Sequence, residues 1–370
     1  MDKDPRSWDG SQFRNSGFLY PPLCAQLFVA FSHLSYLNAK LIWTLAIFLS
    51  LILILMMLIP LFWPEGSSER YLLCLGIAFW FFPTLLLLHN GNVDSLNLLL
   101  ITFGFCLADR WKTSWSYFTF GILIAVACLL KLDCVLLLPG VFGLRWRPLL
   151  LGFFLATAAL ISISLGINGS KLNQDYIFDD SQRIFNSGSF NQASELIPSE
   201  KLKQLSPGYP QVYLKEGQSY QVGFKNFLSS ASGSRILANY SHGHRILVFL
   251  ILPLILWGFF YWVMSKRDGL NSLTAFYLFG LLLVPFCGPM TWTQRMVWIL
   301  PLLPWILGNL VRQKDETTRR NFILCLIPFI LIGLPMLALK GMGFYYCVSN
   351  LWLILLFLRI QSIPFETAKI

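Results

Sequence analysis

The chain has 370 residues, of which 56% are hydrophobic, 16% aromatic and 12% charged, and its mean hydropathy is +0.62. Soluble domains carry about 25% charged residues, so this composition excludes an ordinary soluble fold, and the unbroken apolar runs exclude the alternation of a membrane β-barrel. The net charge of +10 sits largely in short loops between apolar runs, where membrane orientation accounts for it without a nucleic-acid partner.

The tail Met1–Gly17 is polar. Tyr20-Pro21-Pro22 then opens a helix, because proline suits a first helical turn. Leu23–Tyr36 carries Gln26, Ser32 and His33 among its apolar residues and reads as an interfacial amphipathic helix. The first clear span is Leu41–Trp63, followed by Tyr71–Leu88 and Val93–Ala108. Two basic clusters, Arg110-Trp111-Lys112 and Arg145-Trp146-Arg147, bracket the next apolar stretch. Positive clusters beside short membrane segments stay on the cytoplasmic side, so the chain crosses an even number of times between them. The stretch is therefore two short segments, Ser116–Leu130 and Asp133–Leu144, with Lys131-Leu132-Asp133 at the far turn. At 1.5 Å per residue the first is about 22 Å long, short of a core of about 30 Å, and the second is shorter still and reads as re-entrant.

Leu149–Ile167 follows, then a long polar loop, Asn168–His244, with Asp175, Asp179, Asp180, Glu195, Glu200 and Glu216. The remaining spans are Ile246–Met264, Leu270–Cys287, Met296–Val311, Phe322–Leu339 and Phe344–Leu358. The predicted fold is an all-α polytopic membrane protein of about eleven membrane segments. It divides into an outer tail (1–22), an N-terminal membrane module with the interfacial helix (23–167), an extracytoplasmic loop (168–245) and a C-terminal membrane module (246–370). Arg110/Lys112, Arg145/Arg147, Lys266/Arg267 and the run Arg312–Arg320 fall on one side, the cytoplasmic one, with the C-terminus. Asn90–Asp94, Lys131–Asp133, the long loop and Gly288–Arg295 fall on the other. The N-terminal tail also falls outside, which predicts a further apolar helix encoded upstream of Met1.

Four polar clusters share the outer face: the Tyr-Pro-Pro helix start, Asn92/Asp94, Lys131/Asp133 and Trp292–Arg295. Charges at membrane depth cost about 2.5–3.5 kcal/mol each on insertion scales and stand against protein or a water-filled cavity. Their convergence points to a polar site that opens outward. Lys131 and Arg295 are the candidate phosphate binders, Arg as a fork and Lys as a point charge. Asp94 and Asp133 are the candidate general bases. Plainer roles stand beside these. Lys131 and Asp133 can pair with each other at a tight turn. Arg295 can reach to the interface, Asp94 can cap the next helix, and Trp292 and Trp298 can be belt aromatics. The histidines His33, His89, His242 and His244 show no metal-ligand spacing, and none of the eight cysteines forms a CxxC pair. No cofactor is implied, and a divalent metal requirement stays open.

These places resemble the polyprenol-phosphate-dependent, GT-C glycosyltransferases of family 87, which are mannosyltransferase-like. Phe18-Leu-Tyr-Pro-Pro-Leu23 looks like the family's Tyr-Pro-Pro segment. Gly91-Asn-Val-Asp94 is similar to its Gly-Gln-x-Asn motif, with Asn92 and Asp94 substituted. Lys131 with its following apolar run looks like the Lys-x-x-Pro segment, with Cys134 in place of the proline. Gly288-Pro-Met-Thr-Trp292 looks like the Ser-Pro-x-Ser-Trp segment. The resemblance covers Phe18 to about Leu310. It implies transfer of a hexose, mannose by expectation, from a polyprenyl-phosphate donor to a lipid-linked or glycan acceptor on the outer face of a bacterial inner membrane. It also implies inversion at the donor carbon with an aspartate as base. Lys131 and Arg295 would hold the donor phosphate, and Tyr20, Asn92, Trp292 and Gln294 would line the pocket. Two positions depart from the pattern. The family's catalytic aspartate sits well before Tyr-Pro-Pro, whereas Asp2, Asp4 and Asp9 lie too close to Tyr20 to match it, and its paired histidines are Gln294 and Arg295 here. These departures keep a non-catalytic scaffold as the alternative, with a glycolipid transporter behind it.

Overall fold

The computed structural model describes residues 21–65, 68–144, 146–175, 242–265, 272–287, 293–333 and 342–362, and all of its regular structure is helical. The expected all-α membrane architecture is what the chain adopts. Helix α1 (Pro22–Val29) has Pro22 in its first turn and ends in a 3₁₀ turn, Ala30–His33. Ser35 starts α2 (Tyr36–Phe62) by accepting the Asn38 N–H at 3.3 Å. With 27 residues, α2 is long and apolar enough to cross a membrane. It is apolar all round: Ile47, Leu51, Ile54 and Leu58 pack inward, while Leu45, Leu49, Leu53 and Met56 face outward. A helix of that kind belongs in lipid or a large core. Arg70 and Arg312 donate to the carbonyls of Trp63 and Phe62, so two cations sit at the electronegative end of α2.

The span expected over Tyr71–Leu88 is not continuous. It is α3 (Glu69–Trp80) and α4 (Phe82–Asn90), bent by 65° at Phe81. Pro83 is the cause: it lacks an N–H and fits the first turn of a new helix rather than the middle of an old one. The left-handed Gly91 (φ 65°) ends α4, and its carbonyl accepts the Trp43 indole N–H at 2.7 Å. Next come α5 (Asp94–Trp111) and α6 (Ser114–Leu130), the latter opened by a Thr113/Ser116 capping box. After Lys131 the chain forms a 3₁₀ segment, Leu132–Gly143, in place of the short helix expected over Asp133–Leu144. Helix α8 (His242–Ser265) fastens this segment: Trp257 donates to Leu136 O at 2.9 Å and Tyr261 donates to Gly140 O.

Helix α7 (Trp146–Asp175) also crosses on length and composition, through Arg147–Asp175. It is longer than the span expected over Leu149–Ile167, and it takes the first residues of the expected loop. The chain kinks at Gly169 (φ 74°) and stays helical through Asp175, and α8 is already helical from His242. The rest of that loop lies outside the described residues. Helix α9 (Ser272–Cys287) is buried in the bundle, with Tyr277 stacked on Phe105 of α5 at 4.1 Å and bonded to Thr102 at 2.7 Å. The span expected over Met296–Val311 is also broken. It is a 3₁₀ segment, Thr293–Ile299, then α10 (Leu302–Arg312), with Pro301 at the helix start. Helices α11 (Glu316–Gly333) and α12 (Met342–Ser362) complete the described chain.

Candidate functional site

Three of the four motif places meet through apolar packing. Cys24 of α1, Val93 beside Asp94 and Leu130 beside Lys131 form one small buried cluster, with Phe28 and Trp43 against it. This brings the Tyr-Pro-Pro helix, the Gly-Asn-Val-Asp turn and the Lys-Leu-Asp turn to one end of the bundle. Polar contacts bring in the fourth place, the 3₁₀ segment Thr293–Ile299.

At the centre is Asp94, in the first turn of α5 and 1% exposed. Its two carboxylate oxygens accept from Lys131 Nζ at 3.0 and 2.9 Å. Trp298 Nε1 donates to Oδ1 at 3.2 Å. Lys131 is more exposed than its partner, at 12% for the side chain. An ammonium has three N–H donors, and the two oxygens of Asp94 leave one that no described residue takes up. The second pair is Arg295 with Asp133, both buried. The Nε of Arg295 is buried and has no hydrogen-bond partner among the described residues. Two cations and two anions therefore sit together and balance in charge. A buried charge without its counter-charge costs several kcal/mol, so the pairs themselves specify which turns must meet.

Several simpler expectations give way to this arrangement. Lys131 does not pair with Asp133 two residues away; the extended backbone of Lys131 (φ −161°, ψ 121°) sends the two side chains to different partners. Arg295 does not reach to an interface, since it is 4% exposed and ion-paired. Trp298 is not a belt aromatic: it is 1% exposed and bonded to Asp94. Asp94 does not cap α5 with its side chain. Asn92 does that work instead, accepting the Asp94 backbone N–H at 3.1 Å. Tyr20 and Trp292 lie outside the described residues, and Gln294 is placed in backbone only.

Trp298 is the member of the cluster that sequence reasoning missed. Its spacing of three from Arg295 was the available signal: residues three apart share a face of an α-helix and lie directly one above the other in a 3₁₀ helix. Among the described residues no three His, Cys, Asp or Glu side chains gather to hold a metal ion.

Comparison with known proteins gives the family. No solved structure matches the chain. The chain is 24% identical over 307 residues to a Mycobacterium tuberculosis protein named polyprenol-phosphate-mannose-dependent alpha-(1-2)-phosphatidylinositol pentamannoside mannosyltransferase, covering 80% of this chain and 60% of that protein. It is 24% identical over 301 residues to the protein of the same name from Mycolicibacterium smegmatis, covering 78% of this chain and 61% of that one. The chain thus spans about three-fifths of the length of these curated relatives. The family model for glycosyltransferase family 87 matches residues 18–287, a stretch that holds Asp94, Lys131 and Asp133 and stops just short of Arg295 and Trp298. With that stretch making up most of its length, the chain belongs to glycosyltransferase family 87.

Proposed function

We propose that this chain is a membrane hexosyltransferase that moves mannose from a polyprenyl-phosphate donor to a lipid-linked or glycan acceptor. The reading places the site on the outer face of a bacterial inner membrane, with the C-terminus in the cytoplasm. The observation that carries it is the four-charge cluster at one end of an apolar bundle, built from turns far apart in the chain.

In the reaction an acceptor hydroxyl oxygen forms a bond to the anomeric carbon of the sugar. The bond from that carbon to the phosphate oxygen breaks on the opposite side, and polyprenyl phosphate leaves with the electron pair. The hydroxyl proton passes to a carboxylate, for which Asp94 and Asp133 are the candidates. Charge grows on the departing phosphate. Lys131, with its unassigned N–H, and Arg295, with its unpaired Nε, are the groups that stabilise it.

A second reading has its own support. Both carboxylates are already neutralised by ion pairs, as in a purely structural lock, which fits a non-catalytic scaffold. Reconstitution separates the two. The full chain in proteoliposomes should transfer labelled mannose from polyprenyl-phosphate mannose to a membrane acceptor. Lys131→Met should lower turnover by about a hundredfold or more, the scale for removing an electrostatic stabiliser. Lys131→Arg, which keeps a cation beside Asp94, should retain more of it. A well-folded wild type that transfers nothing gives the ground to the scaffold.

A further inference from the structure

A 3₁₀ helix has three residues per turn, so side chains three apart lie one above the other. Arg295 and Trp298 have that spacing in the segment Thr293–Ile299. Arg295 pairs with Asp133, and Trp298 donates its indole N–H to Asp94 at 3.2 Å. One face of one short segment therefore grips both carboxylates of the cluster. Asp94 Oδ1 is shared by Trp298 and Lys131, so the indole limits how the carboxylate can turn. Lys131 has no such anchor of its own. It is a point charge on a flexible four-carbon stem, and Asp94 is its hydrogen-bond partner in the described chain.

We infer that Trp298 is a positioning residue: its indole N–H fixes the Asp94 carboxylate, and through it aims the Lys131 ammonium at the ligand phosphate. This rests on the reading of the cluster as the donor-phosphate site. Tryptophan suits the task because the indole fills a buried site while its N–H meets an ionised partner, the stronger class of hydrogen bond.

The test uses the full-length protein and three variants. Trp298→Phe keeps the aromatic bulk and removes the N–H. Trp298→His returns a ring N–H. Tyr277→Phe removes a different buried hydrogen bond, the one to Thr102, and reports a merely structural loss. Acylation of the Lys131 amine by acetic anhydride, followed by peptide mass spectrometry, reads lysine placement without any turnover. Trp298→Phe should raise the Lys131 acylation rate severalfold. It should lower kcat by about tenfold or more with an unchanged acceptor KM, the scale of one hydrogen bond to a charged group. Trp298→His should recover part of both. Tyr277→Phe should melt earlier yet keep wild-type acylation and kcat. A Trp298→Phe protein acylated at the wild-type rate, or no faster than Tyr277→Phe, overturns the inference. If acylation responds as expected while the wild type transfers no mannose, the positioning role stands and the glycosyltransferase reading falls.

Discussion

Lys131 and Asp94 show how a single residue changes meaning with its partner. A lysine at membrane depth is costly alone, and so is an aspartate that is 1% exposed. Together, at 2.9 Å, they form a pair whose members depend on each other. Removing one partner of a buried pair leaves an uncompensated charge and costs about 3–5 kcal/mol, whereas replacing both can be close to neutral. Asp94→Asn and Lys131→Met should therefore each destabilise the protein by about 3 kcal/mol, with the partial exposure of Lys131 softening the first. The double variant should lose much less than the sum. Denaturation in detergent, run as a double-mutant cycle, measures this coupling; additive losses would mean that the pair contributes nothing in solution.

Among the elements, α6 and α7 show most clearly how backbone contact sets the bundle. A Cβ at Gly121 of α6 would collide with the carbonyl of Leu149, and one at Gly152 of α7 would collide with the carbonyl of Phe118. Backbone atoms cannot step aside as a side-chain tip can. Membrane helices approach closely where small residues let them, because lipid gives them little hydrophobic reason to associate. Gly121→Ala should push α6 and α7 apart and cost about 1–3 kcal/mol, the range for overpacking. Gly76→Ala in α3, where a Cβ meets nothing within 4 Å, is the control and should leave the melting temperature unchanged or raised. A loss of equal size in both would mean that the close approach at Gly121 is not its cause, since alanine is the better helix former at either site. The breaks matter as much as the contacts. Pro83 and Pro301 convert two expected spans into bent or divided ones. Such breaks are how non-helical backbone comes to lie inside a membrane protein, against other protein.

For the whole molecule, the arrangement of the two ends follows from which turns meet. One end gathers Trp43, Gly91, Asp94, Lys131, Asp133 and Arg295. Another part of the bundle gathers Phe62, Trp63, Arg70 and Arg312. On the proposed topology the charge rule would put the second set in the cytoplasm. His89 and Lys112 are both exposed, one just before α5 and one just after it. A membrane-impermeant maleimide should label His89→Cys in intact cells and Lys112→Cys only after lysis. The reverse pattern would invert the topology and move the proposed site to the cytoplasmic face.

Much of this was legible in order of residues alone. Hydropathy determined the all-α membrane class, because a bilayer demands long apolar stretches whatever their packing. Motif order and charge parity predicted a shared side for Asp94, Lys131, Asp133 and Arg295, and the two ion pairs do bring these four residues together. Partnership was another matter. Lys131 and Asp94 are 37 residues apart, and Trp298 and Asp94 are 204 apart. Nothing local distinguishes those pairings from Lys131 with Asp133. A 3₁₀ turn at Thr293–Ile299 and an extended Lys131 decided them, through a difference in backbone winding that hydrophobic pattern does not record. Composition and order thus determined where the chain lives and which turns face the same way, and only tertiary packing decided which charge neutralises which.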